Sequence, residues 1–186
     1  MPRVLVRDAD PDRDAAACTA IYAPFVTGTA VSLEASAPSA EEFAQRIARL
    51  SRTHPFLVAD AGSGAVGFAY GSPHRDRAGY RWAADVSVYL ADGVRGRGIG
   101  RTLYTELLRR LTAQGFWMAC AGITLPNPAS VGLHESFGFE RVGVYRRIGW
   151  KAGAWRDVAW YQCPLRDAPA AEDGEPVEPV EPRPAR

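Results

Sequence analysis

The sequence predicts an α/β fold, in the α+β sense, with a mixed central sheet of about six or seven strands flanked by helices. Segments with helical spacing and segments that alternate like strands follow one another without a strict β-α-β rhythm. The chain has 186 residues, which is enough for one domain with a sizeable core. Its content of 47% hydrophobic and 23% charged residues is ordinary for a globular protein.

The first half of the chain predicts a strand, two helices and a hairpin. An apolar strand covers 4–7, and Asp10 or Asp12 then caps a helix. A second helix begins at the capping box Ser39-Ala40-Glu41-Glu42 and continues with apolar residues at i, i+4 and i+7. The strands 56–59 and 65–70 flank the turn Gly62-Ser63-Gly64, which is typical of a hairpin. The polar segment 72–80 is predicted to be a loop.

The second half begins with a strand over 84–90 that alternates cleanly, so that Asp85, Ser87 and Tyr89 share its polar face. A glycine-rich loop follows, and then a helix that stops at Gly115. Next come a strand over 116–125, a helix over 128–137, and strands over 139–148 and 157–165. We therefore predict one domain over 1–165 and, because 166–186 is rich in Pro, Glu and Ala, a disordered tail.

Charge and cysteine content exclude several classes of protein. The 22 basic and 21 acidic residues nearly cancel, so no overall field favours nucleic acid or an anionic membrane as a partner. The three cysteines, Cys18, Cys120 and Cys163, stand singly without a CxxC motif, which argues against a disulfide framework or a structural metal site. The sequence shows no secretory signal and no apolar run long enough for a membrane span, which favours the reducing cytoplasm.

The segment RGRGIGRTLY, which runs from Arg95 to Tyr104, places three glycines where a predicted strand gives way to a helix. A helix N-terminus offers unpaired N–H groups to a phosphate, and glycine lets the backbone approach it closely. The segment is neither a Walker loop nor a G-x-G-x-x-G fingerprint. From the pattern alone, a phosphate site, a plain tight turn and, more weakly, a nucleic-acid contact all stay open.

Residues 95–100, RGRGIG, resemble the R/Q-x-x-G-x-G/A signature of the GCN5-related N-acetyltransferases. The segments 82–90, 103–116 and 122–139 and the ending GAWRDVAWYQCPL are similar to the phosphinothricin N-acetyltransferase branch, so the likeness covers about 4–165. Even the proline-rich tail has a counterpart in the herbicide-resistance members. The resemblance implies the GCN5-related acetyltransferase fold, acetyl-CoA as cosubstrate with no metal, and a homodimer.

The resemblance also implies the residues that bind acetyl-CoA. Backbone amides of the loop would hold its pyrophosphate, and backbone groups of the strand before the loop would pair with pantetheine. The expected set is Val88, Tyr89, Leu90, Arg95, Gly96, Arg97, Gly98, Ile99, Gly100, Arg101 and Asn127. Asn127 is equally suited to cap the helix that follows it. We expect the glycine amides to matter more than the arginine side chains.

N-acetylation needs an uncharged amine, and two residues are candidates for handling its proton. Asp85 lies on the polar face of an apolar strand, where partial burial raises a carboxyl pKa. The pattern alone allows an ordinary surface carboxylate equally well. The resemblance implies a catalytic glutamate at this position, and the shorter aspartate favours a water relay over direct proton transfer. By the same resemblance, His134 would face the CoA sulfur or the amine, with a packed core histidine as the alternative.

The resemblance implies that Arg75, Arg77 and Tyr80 belong to the acceptor site, with a solvated loop of ordinary surface arginines as the alternative. Leu33 stands where the herbicide-detoxifying members carry a phenylalanine, and Tyr89 shares the Asp85 face, so both complete the expected acceptor set. Guanidinium groups suit the carboxylate, phosphinate or sulfoximine oxygens of an amino-acid substrate. The implied reaction is direct attack, in a ternary complex, by the α-amine of phosphinothricin or a related glutamate-like amino acid such as methionine sulfoximine. Transfer to another amine or to a protein N-terminus, and a non-catalytic CoA-binding module, are the alternatives.

Overall fold

The computed structural model describes residues 4–167 and 176–182. Its mixed α/β architecture confirms the predicted fold class. In chain order the elements are β1 (Leu5–Asp8), α1 (Pro11–Thr27), α2 (Ala40–Leu50), β2 (Phe56–Asp60), β3 (Ala65–Pro73), β4 (Ala83–Leu90), α3 (Ile99–Gln114), β5 (Met118–Thr124), α4 (Pro128–Glu135), β6 (Glu140–Lys151) and β7 (Ala154–Pro164). A short 3-10 turn, Ala78–Tyr80, precedes β4.

The seven strands form one sheet in the order β1-β2-β3-β4-β5-β7-β6. Neighbouring strands are antiparallel except β4 and β5, which are parallel. A parallel pair needs a crossover connection, and α3 provides it. Among the helices of residues 4–167, none has both the length and the apolarity needed to cross a bilayer.

Alternation along β2 shows how the sheet separates two apolar layers. Phe56 and Val58 pack on one face with residues of α1 and α2, whereas Leu57 and Ala59 pack on the other face with α3. All five residues of β2 are buried, as expected for a strand covered on both faces. The side of Phe56 and Val58 is called the α1 face, and the side of Leu57 and Ala59 is called the α3 face.

Two predicted helix starts are confirmed by their hydrogen bonds. The Asp10 carboxylate accepts from the backbone N–H groups of Asp12 and Arg13, each at 2.9 Å. In the capping box, the Glu42 N–H donates to Ser39 Oγ at 3.1 Å, and the Ser39 N–H donates to Glu42 Oε2 at 2.7 Å. These local bonds depend only on neighbouring residues, which is why the sequence reveals them.

Strands β4 and β5 pair over three positions only, from Ala83 opposite Met118 to Asp85 opposite Cys120. Beyond Asp85, strand β4 continues to Leu90 beside β3, and β5 continues to Thr124 beside β7. The two strands therefore separate, and over 86–90 the backbone edge of β4 that faces away from β3 has no strand partner among the described residues. This opening in the sheet is called the β4–β5 slot.

Residues 176–182 of the predicted tail contact the domain. The Val180 N–H donates to the Gln114 carbonyl at 2.8 Å, and the Gln114 side chain donates to the Val180 carbonyl at 2.7 Å. Trp82 Nε1 donates to the Val177 carbonyl at 3.0 Å. Composition alone cannot reveal such docking, because the partners lie in a distant part of the chain. Of the predicted tail, 168–175 and 183–186 lie outside the described residues, as does 1–3 of the predicted domain.

A charged cluster ties β1, α1 and the end of β2 together. Arg7 donates to both carboxylate oxygens of Asp14, at 2.6 and 2.8 Å, and to Asp60 Oδ2 at 2.9 Å. The Asp14 side chain is 2% exposed. Burial alone would raise the pKa of Asp14, but the hydrogen bonds from Arg7 and from the Asp10 backbone outweigh burial and lower it. The carboxylate is thus charged and fully paired in the folded protein.

We predict that Asp14→Asn lowers the free energy of unfolding by about 3 kcal/mol, because it removes one partner of a buried ion pair. Guanidinium denaturation at neutral pH measures the change. The control is Asp92→Asn, which removes an exposed pair with Arg95 and should change stability by less than about 1 kcal/mol.

The pH dependence of this difference follows from the lowered pKa of Asp14. Its contribution is complete above the ordinary carboxyl value of about 3.9 and is lost as the pH falls through the lower folded value. The gap between wild type and variant should therefore narrow in acid. A gap that is constant down to acid unfolding would contradict the role of the charged carboxylate.

Candidate active site

Asp85 lies at the point where the β4–β5 slot opens. It pairs with Ser72 on β3 and with Cys120 on β5, so all three side chains share the α1 face. Burial raises the pKa of Asp85, and a hydrogen bond from His74 and the positive charge of Arg75 partly offset that rise. Its side chain is 28% exposed, so it is neither a surface carboxylate nor a sealed one.

His74 is a further candidate for the site, and the sequence pattern did not indicate it. Its Nδ1 lies 2.6 Å from Asp85 Oδ1. The sequence predicts a strand that ends at Tyr70, whereas β3 extends to Pro73 and brings His74 two positions beyond Ser72, onto the Asp85 side. Tyr70, Ser72 and His74 follow one another at intervals of two residues. A strand extended beyond Tyr70 would therefore have placed His74 on the same face as Asp85.

Aromatic rings enclose the His74–Asp85 pair. The His74 ring makes edge contacts with Tyr80 and Trp160, with ring centroids 5.8 Å apart in each case. The Arg75 guanidinium lies 5.3 Å from the centre of the Trp160 ring. Trp160 in turn covers Gly122 of β5, where a Cβ atom would come within 3.2 Å of the indole. This glycine lets the indole lie close against the sheet beside the slot.

His74, Asp85 and Cys120 place one nitrogen, one oxygen and one sulfur donor within 4.8 Å of one another. Two of these donors are already bonded to each other at 2.6 Å. Burial, together with the Asp85 charge, raises the pKa of the Cys120 thiol to about 11, which keeps it protonated near neutral pH. The cluster therefore has the character of a proton-handling group rather than of a metal centre.

The glycine loop lies at the far end of β4, next to the slot. Gly96 and Gly98 have φ angles of 73° and 80°, which favour glycine strongly over other residues. Gly98 caps α3 without a side-chain hydrogen bond. Within the described residues no oxygen accepts from the N–H groups of Ile99, Gly100 and Arg101, so three amides at the start of a 16-residue helix are available to an anion.

The loop's arginines have different surroundings. Arg95 pairs with Asp92 at 3.0 Å and lies over the Phe25 ring. Arg101 donates to Ser136 Oγ at 3.0 Å, linking α3 to the end of α4. Arg97 is exposed and has no side-chain partner among the described residues. These contacts show that two of the three arginines also have local structural roles.

His134 lies on the α3 face, whereas Asp85 lies on the α1 face. Its Nε2 is 2.8 Å from the Tyr104 hydroxyl, and its Nδ1 is 2.7 Å from the Ser130 carbonyl. The side chain is buried, and burial lowers its pKa despite the opposing effect of the Ser130 carbonyl. The two predicted catalytic residues are therefore not in contact. Asn127 caps α4 by accepting from the Ser130 N–H at 3.2 Å.

The remaining predicted acceptor residues lie apart from one another. Leu33 packs over Gly149 of β6, where a Cβ atom would come within 2.7 Å of the leucine side chain. Arg77 is exposed at the start of the 3-10 turn. Tyr89 contacts Tyr22 and Phe25 with ring centroids at 4.8 and 5.2 Å, and burial raises its pKa well above 10. Of the predicted acceptor set, Arg75 and Tyr80 lie closest to the His74–Asp85 pair.

Known proteins that are similar to this chain are acetyltransferases. The family model described as acetyltransferase (GNAT) domain matches residues 9–160. A phosphinothricin N-acetyltransferase of Streptomyces viridochromogenes is 35% identical over 167 residues, which is 90% of each chain. An L-methionine sulfoximine/L-methionine sulfone acetyltransferase of Pseudomonas paraeruginosa is 39% identical over 126 residues, 66% of this chain and 73% of the relative.

A solved structure agrees with both the fold and the cofactor. It is a GNAT superfamily phosphinothricin acetyltransferase of Sinorhizobium meliloti in complex with acetyl-CoA. Its TM-score is 0.87 at 36% identity, covering 98% of this chain and 97% of the other. The bare amides at the start of α3 and the open edge of β4 suit the pyrophosphate and the amide groups of that cofactor. The chain belongs to the GNAT acetyltransferase family and is an acetyl-CoA-dependent N-acetyltransferase.

Proposed function

We propose that this enzyme acetylates the α-amine of phosphinothricin or of a closely related glutamate-like amino acid, methionine sulfoximine included. The observation that carries the proposal is the half-buried Asp85–His74 pair with Arg75 beside it at the mouth of the β4–β5 slot. A cationic side chain next to a proton-accepting pair suits a small molecule with an acidic group and an amine. Such an activity would inactivate phosphinothricin as a herbicide.

On the cofactor side, the proposed set is the one implied by the sequence. The pyrophosphate lies on the amides of Ile99, Gly100 and Arg101, and pantetheine extends along the open edge of β4 beside Val88 and Leu90. The thioester then reaches the level of Asp85, where the two strands part. An acceptor amine that enters from the α1 face attacks the thioester carbonyl directly, within a ternary complex.

On the acceptor side, Arg75 is the residue best placed to bind an acidic group. Its guanidinium lies over Trp160 and its Nη1 donates to the His74 carbonyl at 2.8 Å, so its charge is held close to the proton-accepting pair. We place Tyr80 and the exposed Arg77 on the same side of the proposed acceptor site as Arg75, and Leu33 on its β6 side. The packing of Tyr89 favours a supporting role behind the slot rather than a contact with the acceptor.

For His134 the surroundings support an indirect role. Both ring nitrogens are engaged, by Tyr104 and by the Ser130 carbonyl. A direct part in protonating the CoA thiolate would require Nε2 to leave the Tyr104 hydroxyl. We therefore propose that His134 fixes α4 against α3, and thereby orients the Asn127 end of α4 beside the slot.

Two wider proposals concern the assembled protein. Cys18, Cys120 and Cys163 are all free thiols, which agrees with a reducing cytoplasm. The hairpin β6–β7 exposes several large apolar side chains, which suits the homodimer implied by the resemblance: Val142, Tyr145, Ile148, Trp150 and Trp155. Sedimentation equilibrium of the full chain tests the dimer, and a monomer at micromolar concentration contradicts it.

The acceptor class is tested by a steady-state panel of phosphinothricin, methionine sulfoximine, glutamate, neutral amino acids and a short peptide with a free N-terminus. We expect kcat/KM to be highest for the first two, because they offer an acidic oxygen to Arg75. Thiol release from acetyl-CoA measures turnover. Turnover of the peptide alone would contradict the proposal and favour a protein acetyltransferase.

We predict that Asp85→Asn lowers kcat by about 100-fold or more at neutral pH, the usual range for loss of general acid–base catalysis, because it breaks the Asp85–His74 pair, with little change in acetyl-CoA affinity. Burial raises the pKa of Asp85, so wild-type kcat/KM should fall with decreasing pH through a limb above the ordinary carboxyl range. The variant should lack the carboxyl's contribution to that limb, since the asparagine does not titrate. A wild-type pH profile retained in the variant would contradict this role.

The role of the loop amides is tested by Gly98→Ala. A side chain at φ 80° strains the cap of α3 and turns its amides away from the pyrophosphate. We expect the Kd for acetyl-CoA to rise at least about tenfold, since a hydrogen bond to a charged group contributes about 1.5–3 kcal/mol. Titration calorimetry measures it.

Two controls accompany Gly98→Ala. Gly115→Ala carries comparable strain, at φ 103°, at the opposite end of the 16-residue helix α3 and should leave acetyl-CoA affinity unchanged. Arg97→Ala should weaken binding by less than about tenfold, since an exposed charge contributes less than about 1 kcal/mol. A larger effect of Arg97→Ala than of Gly98→Ala would mean that side-chain charge, not the backbone, holds the cofactor.

A further inference from the structure

We propose that His74, and not Asp85 or a water molecule, is the group that takes the proton from the acceptor amine, and that Asp85 is the positioning residue behind it. The inference rests on the proposed N-acetyltransferase reaction and deepens it. It is carried by the geometry of the pair: Nδ1 faces Asp85 Oδ1 at 2.6 Å, and the other ring nitrogen points away from that bond.

The hydrogen-bond arrangement determines which nitrogen is free. An ionised carboxylate only accepts hydrogen bonds, so the shared proton lies on Nδ1 of the neutral ring. Nε2 then has its lone pair free. It makes no hydrogen bond within the described residues and is not among their sealed, unpartnered polar atoms. This nitrogen is therefore available to a ligand in the site.

The ring is held in place on several sides. Asp85 fixes one edge, the Tyr80 and Trp160 rings contact it at 5.8 Å, and its side chain is 16% exposed. A base that is oriented in advance by a carboxylate is the arrangement of a catalytic dyad, in which the carboxylate also stabilises the imidazolium that forms. The neighbouring charges on the other elements support this division of roles, since Arg75 is cationic and the Cys120 thiol stays protonated.

The reach of the pair supports the same division. The Asp85 side chain has a single methylene group, and its Oδ1 already accepts from His74 Nδ1. The imidazole ring extends the pair beyond the carboxylate, so an amine can meet Nε2 without an intervening water molecule.

The proton balance is simple. Nε2 accepts one proton from the substrate ammonium, which gives a free amine and an imidazolium paired with Asp85. The amine nitrogen then bonds to the thioester carbon as the carbon–sulfur bond breaks. The second amine proton ends on the sulfur as the CoA thiol, and the imidazolium returns its proton to solvent. The net products are the amide, CoA thiol and one proton.

The first test is kinetic and uses the full chain with whichever acceptor of the panel turns over fastest. Asparagine at position 74 retains a donor near the place of Nδ1 but has no counterpart of Nε2. We therefore expect His74→Asn to lower kcat as severely as His74→Ala, by about 100-fold or more, with unchanged Kd for acetyl-CoA as the sign of an intact fold.

A rescue experiment and a control sharpen the kinetic test. Added imidazole should restore part of the rate in His74→Ala. The control is Asp76→Asn, which alters an exposed carboxylate of the same loop and should keep wild-type kcat with or without imidazole. If His74→Asn keeps kcat within about tenfold of wild type, the ring only orients Asp85 and the proposal is overturned.

The second test needs no acceptor, so it separates this inference from the proposed substrate class. The chain has three histidines, and nitrogen–proton correlation spectra of the imidazoles, assigned by the signals missing in His74→Asn, report the tautomer of each. We expect the neutral His74 ring to carry its proton on Nδ1, and Asp85→Asn to shift the population toward Nε2. A neutral wild-type ring protonated on Nε2 overturns the proposal, even if every acceptor is acetylated; inert acceptors with the expected tautomer would instead reject only the substrate class.

Discussion

The structure depends on the early separation of β4 from β5. The two strands share three paired positions and then diverge, so one stretch of backbone in the middle of a buried sheet has no strand partner among the described residues. Backbone polar groups are costly to leave without a partner in an apolar interior. A cofactor with amide groups along an extended arm would supply those partners, so the separation of the strands is suited to binding.

Each side of the slot is held open by its other neighbour. Strand β4 pairs with β3 along nearly its whole length, and β5 pairs with β7 from Met118 to Thr124. Because both outer pairs are antiparallel and extensive, neither inner strand can move to close the gap without breaking a ladder. Two different groups of polar atoms lie at the two ends of the slot. The bare amides of α3 lie at one end of it, and the proton-handling pair lies where it begins.

Local signals in the sequence predicted most of the fold and part of the site. Ser39 and the glycine loop mark helix ends because their effects involve adjacent residues only. Alternation along the chain placed Asp85 on the polar face of its strand, and the resemblance made it a catalytic candidate. His74 was missed because its importance comes from a contact across the sheet and from an extension of β3 that depends on pairing with β4. Likewise, nothing beside His134 in the chain indicates that Tyr104 engages its ring.

Burial at Asp85 and the charges beside it act in opposite directions, and their balance explains why a half-buried carboxylate is useful here. Burial makes the charged form less stable, while the His74 hydrogen bond and the Arg75 charge favour it. A fully solvated carboxylate would bind protons too weakly to assist an amine, and a sealed one would remain neutral. The intermediate position leaves the carboxylate able to stabilise a newly formed cation on its neighbour. In the proposed reaction that neighbour is an imidazole with one free nitrogen, so the stabilisation is directed to the side from which the acceptor would enter.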